Sequence, residues 1–171
     1  QMVALESLGD IYYEKKEYNK AVYYLLDAYN VSRRQNDIPR VITITQMLAN
    51  AYCSLKEYDT AQRYAEECLD LADKVGSDFH KSLAWSVMWN VKFGQKHYKE
   101  SEIYARKRWE ADSTQLSSAV YAALNLCISN IYLGNHQEAN YFLDKYVDMK
   151  YELTGQDLNS RLADMEVQYE T

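Results

Sequence analysis

Apolar and small residues recur along this chain at helical spacing, in units of about forty residues. Leu8 and Tyr12 lie on one side of a helix, and Leu48 and Tyr52 repeat that pattern forty residues later. The 171 residues include only one Pro and five Gly. So few breakers, at long intervals, favour helices joined by short turns over strands. The pattern predicts an all-α chain.

A first motif combines an apolar residue, a small residue and an acid or amide, followed in three copies by a Tyr two positions later. Its copies are Leu8-Gly9-Asp10-x-Tyr12, Leu48-Ala49-Asn50-x-Tyr52, Met88-Trp89-Asn90-x-Lys92 and Ile128-Ser129-Asn130-x-Tyr132. A small residue at the second position allows a neighbouring helix to approach closely. Trp89 occupies that position in the third copy, which predicts local repacking there.

A second motif places a small residue three positions after a Tyr or His. Its copies are Glu17-Tyr18-Asn19-Lys20-Ala21, Glu57-Tyr58-Asp59-Thr60-Ala61, His97-Tyr98-Lys99-Glu100-Ser101 and Asn135-His136-Gln137-Glu138-Ala139. The fourth copy comes two residues early, which predicts a shortened turn within that repeat. Asn19 and Asp59 are predicted to be helix N-caps, because short polar side chains satisfy the free N–H groups at a helix start.

Helix stop and start signals divide the chain further. They are Asn36-Asp37-Ile38-Pro39, Gly76-Ser77-Asp78, Asp112-Ser113-Thr114 and Gly155-Gln156-Asp157. We therefore expect four helix pairs at about 1–37, 38–77, 78–114 and 115–155. A ninth helix over 156–171 is expected to cap the last pair or to lead out of it.

The two motifs resemble the tetratricopeptide repeat (TPR), in which Leu-Gly-x-x-Tyr marks the first helix and Tyr-x-x-Ala opens the second. The resemblance covers essentially the whole chain. It implies a right-handed α-α superhelix whose first helices line an extended concave surface. The sequence departs from that family in its forty-residue period, in the missing Pro at the repeat end and in Trp89.

The resemblance also implies which residues face the concave surface. They are Asp10, Asn50, Asn90 and Asn130, with Tyr13 and Phe93 three residues further on and Glu6 and Gln46 four residues before. An Asn side chain offers both a donor and an acceptor, so a column of them suits the backbone of an extended peptide. Tyr13 and Phe93 would anchor its side chains. In the alternative interpretation, the Asn side chains bond only to neighbouring helices.

Composition argues against several other function classes. The net charge is −6 and the longest basic run is 106–108, which disfavours nucleic-acid binding. The three Cys and three His show no ligand spacing, so we expect buried thiols and no metal site. No phosphate-binding loop or nucleophile motif is present, so neither a cofactor nor catalysis is expected within these residues. The longest apolar stretches are far shorter than the ~20 residues of a membrane span.

The end of the chain, Ala163–Thr171, resembles the exit helix of bacterial membrane-anchored regulators that carry TPR sensor arrays. This resemblance implies the sensory module of a two-component-type regulator, periplasmic, with a histidine kinase or helix-turn-helix output outside these residues. An apolar 4-3-4 seam nearby suits a capping helix or a homodimer. The seam consists of Leu158, Leu162, Met165 and Tyr169.

Two other interpretations stay open, and in both the expected partner is a protein or peptide. One is a stand-alone cytoplasmic scaffold or adaptor. A co-chaperone with a carboxylate clamp would need Lys and Arg at the concave positions, which here are acidic, amide or apolar. The other is the TPR domain of a peptide-responsive intracellular regulator.

Overall fold

The computed structural model describes residues 2–112 and 115–169, with side chains described for 2–111 and 115–156. Over these ranges the chain forms eight α-helices and no strand. They are α1 (Met2–Glu14), α2 (Tyr18–Gln35), α3 (Ile38–Ser54), α4 (Tyr58–Val75), α5 (Asp78–Gly94), α6 (Tyr98–Asp112), α7 (Leu116–Leu133) and α8 (His136–Tyr169). Each helix packs against the next, and α3 also packs against α5. The predicted all-α solenoid of helix pairs is confirmed.

Small residues let the two helices of a pair approach closely, as the motifs predict. Ala21 and Ala61 on the second helices are fully buried, as is Ser101. A Cβ atom added to Gly9 would lie 2.6 Å from Cδ2 of Leu25, which is itself fully buried. Only glycine fits this crossing of α1 and α2 without displacing a core side chain.

Stacked tyrosines also join the first and second helices of a pair. The rings of Tyr12 and Tyr24 stack at 5.3 Å, and those of Tyr52 and Tyr64 stack at 5.6 Å. In the third pair Lys92 takes the place of the first tyrosine, and its ammonium lies 3.1 Å from Glu100 on α6. The tyrosine-rich composition therefore serves helix packing at these positions.

The inter-repeat links end and begin helices largely as expected. Asn36 and Gly76 take the left-handed conformation after α2 and α4. Asp37 caps α3 by accepting a hydrogen bond from the backbone N–H of Arg40. The predicted N-caps Asn19 and Asp59 are wrong. The cap positions before α2 and α4 are Glu17 and Glu57, and the tyrosines that follow are the first helical residues.

The fourth pair is out of register with the forty-residue period. The first helices α3, α5 and α7 begin at 38, 78 and 116, so the last interval is two residues shorter. The turns inside the four pairs share one backbone geometry, because each contains a residue with positive φ. These residues are Lys16, Lys56, Lys96 and Gly134, and the last interval is again 38 residues. The two missing residues therefore lie between the start of α6 and the start of α7. The predicted shortening of the turn within the fourth repeat is wrong.

The shift changes which residues of α7 correspond to which residues of α3. Every buried residue of α3 has a buried counterpart 78 positions later in α7, from Val41 with Ala119 to Ala51 with Ser129. Under a strict period of 80, several of those counterparts would be exposed or only partly buried, including Tyr121 and Ile131. Asn130 therefore matches Asn50 and Asn90 in the sequence motif but does not occupy their position in the structure.

The last helix differs from the prediction as well. A break at Gly155-Gln156-Asp157 and a separate ninth helix are not observed, because α8 runs without interruption from His136 to Tyr169. Gly155 is not in the left-handed conformation that ends α4 at Gly76. An interior glycine costs a helix only about 1 kcal/mol, and helix-forming residues flank it on both sides. The seam formed by Leu158, Leu162, Met165 and Tyr169 lies outside the described side chains.

One of the described helices is long and apolar enough to meet the composition of a membrane span. The 18 residues Leu116–Leu133 of α7 have a mean hydropathy of 1.4, although polar residues interrupt this stretch. This helix packs between α6 and α8, and 44% of the window is buried. Core helices have the same composition, so the hydropathy of α7 is explained by its packing.

Candidate functional site

The candidate residues lie on the first helices, and four of them meet in one cleft. The cleft lies between α1 and α3 and has a volume of about 180 Å³. Its lining residues are Asp10, Tyr13, Glu14, Leu25, Gln46, Met47 and Asn50. We call the partly exposed face of α1, α3, α5 and α7 the first-helix surface. The cleft lies at the amino-terminal end of this surface.

Tyr13 and Leu25 give the cleft an apolar component. Leu25, from α2, is fully buried and lies at the base of the cleft. The Tyr13 hydroxyl lies 3.4 Å from Oγ of Ser54 on α3, and its ring meets Tyr18 edge to face at 5.4 Å. The tyrosine is thus held by both neighbouring helices and presents a fixed aromatic wall.

Two of the predicted asparagines contact each other across adjacent repeats. Nδ2 of Asn90 donates a 2.9 Å hydrogen bond to Oδ1 of Asn50. Both side chains are only partly buried. The bond uses one donor hydrogen and one acceptor, so Nδ2 of Asn50 and Oδ1 of Asn90 keep the capacity for further hydrogen bonds. Part of the alternative interpretation is therefore correct, because the two asparagines do bond between helices.

Glu6 is engaged within the protein. Its carboxylate lies 2.8 Å from the guanidinium of Arg40 on α3, which also bonds Asp37. This ion pair joins α1 to the start of α3 and raises the pKa of Arg40, chiefly through the hydrogen bond that Arg40 donates to Glu6. Glu6 therefore acts as a contact between repeats at the edge of the surface.

Asn130 does not face the first-helix surface, so its assignment as a peptide-binding residue is wrong. Its side chain is 1% exposed, donates to the Leu126 carbonyl at 2.9 Å and accepts from Asn135 at 3.0 Å. It corresponds to Lys92 of the third pair, a position that faces the second helix. The residues of α7 equivalent to Ser86, Asn90 and Phe93 are Leu124, Ile128 and Ile131.

Phe93 belongs to an aromatic cluster at the junction of the third and fourth pairs. Its ring stacks on Trp89 at 5.0 Å and meets the Tyr132 ring edge to face at 5.0 Å. Tyr132 also lies 4.6 Å from Tyr98 and remains 56% exposed. Sequence reasoning missed Tyr132 and Ile131 because it assumed a strict period of forty. The fourth copy of the second motif begins at Asn135, two residues earlier than a period of forty requires, and this was the sequence signal of the register shift.

Cys68 and Cys127 are buried thiols, as predicted, whereas Cys53 is only partly buried. Cys53, at the position equivalent to Tyr13, has its pKa raised to about 12 by burial. Burial also raises the pKa of Cys68 to about 11. A thiol with such a pKa is almost entirely protonated near neutral pH and is a poor nucleophile. Within the described residues no group of His, Cys, Asp and Glu is arranged to hold a metal ion.

Comparison with known proteins agrees with this architecture. Residues 41–76 match the family described as Tetratricopeptide repeat. This match covers most of α3 and all of α4. No curated protein matches the chain.

Three solved structures share the fold at low sequence identity. The BtubC (BKLC) structure from P. vanneervenii matches with a TM-score of 0.78 and 14% identity over 90% of this chain. The apo form of RapI matches with a TM-score of 0.82 and 12% identity over 94%. A Rap protein complexed with Competence and Sporulation Factor matches with a TM-score of 0.81 and 17% identity over 86%. The chain spans 65%, 59% and 42% of these three proteins, respectively.

Proposed function

We propose that this chain binds an extended segment of a protein or peptide on its first-helix surface, and that it acts by binding rather than by catalysis. The hydrogen bond between Asn50 and Asn90 carries the proposal. It holds the two amides side by side and leaves Nδ2 of Asn50 as a donor and Oδ1 of Asn90 as an acceptor for further hydrogen bonds. Those are the groups that pair with the backbone C=O and N–H of an extended chain, whatever its side chains.

Neighbouring residues support the same role. The α1–α3 cleft offers a recess beside Asn50, and Phe93 lies one turn beyond Asn90. Recesses and rigid aromatic side chains are the usual anchors of a peptide interface. A Rap protein of the same fold has been seen in complex with Competence and Sporulation Factor, so a protein of this architecture accommodates a partner.

A selection experiment tests the proposal. Octapeptides selected from a random display library on the immobilised chain are resynthesised, and their affinities are measured by isothermal titration calorimetry. We expect the Asn50→Ala/Asn90→Ala variant to bind roughly tenfold more weakly, since two lost hydrogen bonds of about 0.5–1.5 kcal/mol each amount to that factor. The matched control is Asn30→Ala/Asn140→Ala, which removes two exposed asparagines from second helices and is expected to bind normally. Equal weakening of both variants contradicts the proposal.

The biological role we propose for this binding is that of a sensory module in a bacterial signal-transduction regulator. Its support is the resemblance of Ala163–Thr171 to the exit helices of membrane-anchored regulators. In such a protein, occupancy of the solenoid would be passed along the last helix to a kinase or DNA-binding output. The encoded sequence after Thr171 tests this role. An apolar run of about twenty residues followed by an output domain supports it, and a continuation without one favours a scaffold or an intracellular peptide-responsive regulator.

A further inference from the structure

The first-helix surface changes character from one end to the other. Besides the aromatic rings of Tyr13 and Phe93, the polar residues of α1 and α3 on this surface are acidic or amide, α5 contributes an amide, and α7 contributes aliphatic side chains. In order along the surface the residues are Asp10, Glu14, Gln46, Asn50, Asn90, Leu124, Ile128 and Ile131. The change follows from the two-residue register shift, which turns Leu124, Ile128 and Ile131 of α7 to this face. Ile131 is 54% exposed there.

The acidic end is not neutralised by any ion pair among the described residues. Among the described residues, no basic side chain forms an ion pair with Asp10 or Glu14, which lie one turn apart on α1 and both line the cleft. The contrast is Glu6, one turn earlier, which Arg40 neutralises at 2.8 Å. The opposite wall supplies Gln46 and Asn50, which are uncharged, and Leu25 supplies an apolar base. Two negative charges above an apolar base match the ammonium and methylene groups of a cationic ligand.

We propose that the ligand is an extended peptide with a cationic group in the α1–α3 cleft and an apolar residue against Ile128 and Ile131. This inference rests on the proposed function and specifies its ligand. Packed helices lie roughly 8–10 Å apart, so the cleft and α7 are separated by roughly 20–25 Å. An extended chain advances about 3.3 Å per residue, so about six to eight residues separate the two anchors. The cationic group is either a basic side chain or the amino terminus of the peptide.

Charge variants test the acidic end with the octapeptides selected above. We expect the tightest peptides to carry a cationic group at one end and an apolar residue at the other. Asp10→Asn/Glu14→Gln is expected to weaken their binding at least roughly tenfold in low salt, and less in high salt, where screening already weakens the attraction. The control Asp27→Asn/Asp73→Asn makes the same change in net charge on exposed residues of α2 and α4 and is expected to leave the affinity within twofold.

Modified peptides distinguish the two sources of positive charge. If acetylation of the amino terminus removes the effect of the Asp10/Glu14 variant, the cleft binds the terminal ammonium. If replacement of Lys or Arg by Gln removes it, the cleft binds a basic side chain. For the apolar end, Ile131→Ser is expected to weaken binding severalfold, whereas Ile103→Ser, at a similarly exposed isoleucine on α6, is not.

The outcomes separate this inference from the proposed function. Selected peptides without a cationic preference, or equal affinities for Asp10→Asn/Glu14→Gln and its control, contradict the inference. If Asn50→Ala/Asn90→Ala still weakens those peptides, the proposed function stands. If no octapeptide is selected at all, the proposed function fails and this inference fails with it.

Discussion

The indole Nε1 of Trp89 donates a 2.9 Å hydrogen bond to Oγ of Ser129, forty residues further along the chain. Oγ of Ser129 also lies 3.3 Å from Oγ of Ser101, and both serines are fully buried. Small polar residues at 101 and 129 thus leave room for the indole and satisfy its N–H. Trp89, which stands where the repeat expects a small residue, joins the third helix pair to the fourth. This is the repacking that the sequence predicts at this position.

Removal of the acceptor in Ser129→Ala is expected to lower the free energy of unfolding by about 1–3 kcal/mol, because it leaves a buried N–H without its partner. Urea unfolding followed by circular dichroism measures the change. Ser7→Ala, at an exposed serine on α1, is the control and is expected to stay within about 0.5 kcal/mol of the wild type. Equal stability of the two variants would show that the Trp89 bond contributes nothing.

Gly9→Ala is expected to destabilise the fold, although alanine is the better helix former. The new Cβ would lie 2.6 Å from Cδ2 and Cγ of the fully buried Leu25, so this side chain would have to shift from its packed position. Overpacking of this kind costs about 1–3 kcal/mol, more than the helix propensity of alanine returns. A thermal or urea unfolding midpoint at or above that of the wild type would contradict the close crossing of α1 and α2.

Gly155→Ala tests the continuity of α8. A Cβ atom at Gly155 meets nothing within 4 Å, and the residue lies inside the helix. The substitution is therefore expected to increase helicity at 222 nm and to stabilise by up to about 1 kcal/mol. A loss of helicity or stability would indicate a helix end at this glycine, as the sequence alone suggests.

Because the pKa values of two thiols are raised, we expect the protein to lose stability at alkaline pH. Burial raises the pKa of Cys53 and Cys68 from 9.0 to about 12 and about 11. Because the unfolded thiols ionise first, this contribution is complete below about pH 9 and is lost as the pH rises toward the folded values. The drop in unfolding free energy between pH 8 and pH 10 is expected to be smaller in Cys53→Ala/Cys68→Ala than in the wild type. Equal drops would contradict the raised pKa values.

The sequence was sufficient for the fold because its motifs record packing. Gly9, Ala21 and Ala61 stand where helices cross closely, and such contacts tolerate few residue types. Helix starts were less predictable, since Asn19 and Asp59 are good capping residues but lie two positions after the actual caps, Glu17 and Glu57. A cap requires a particular backbone geometry, which composition alone does not determine.

The candidate site was predicted in part, for a physical reason that Asn130 illustrates. Asn50 and Asn90 lie on the predicted surface and bond to each other. Asn130 matches their motif but is buried and bonds Leu126 and Asn135, because two residues are missing between the starts of α6 and α7 and the helix presents a different face. A shift of two residues turns a helix by about 200°, so local motif identity does not fix which side chains face outward.

NMR shift mapping with a selected octapeptide tests most directly whether a partner binds on the first-helix surface. We expect the largest backbone amide shifts at Asn50, Asn90 and the residues lining the α1–α3 cleft. We expect the largest side-chain amide shifts among the asparagines at Asn50 and Asn90. Amides on the outer faces of α2, α4 and α6 should shift little. Shifts concentrated on those second helices, with Asn50 and Asn90 unchanged, would contradict binding on the first-helix surface.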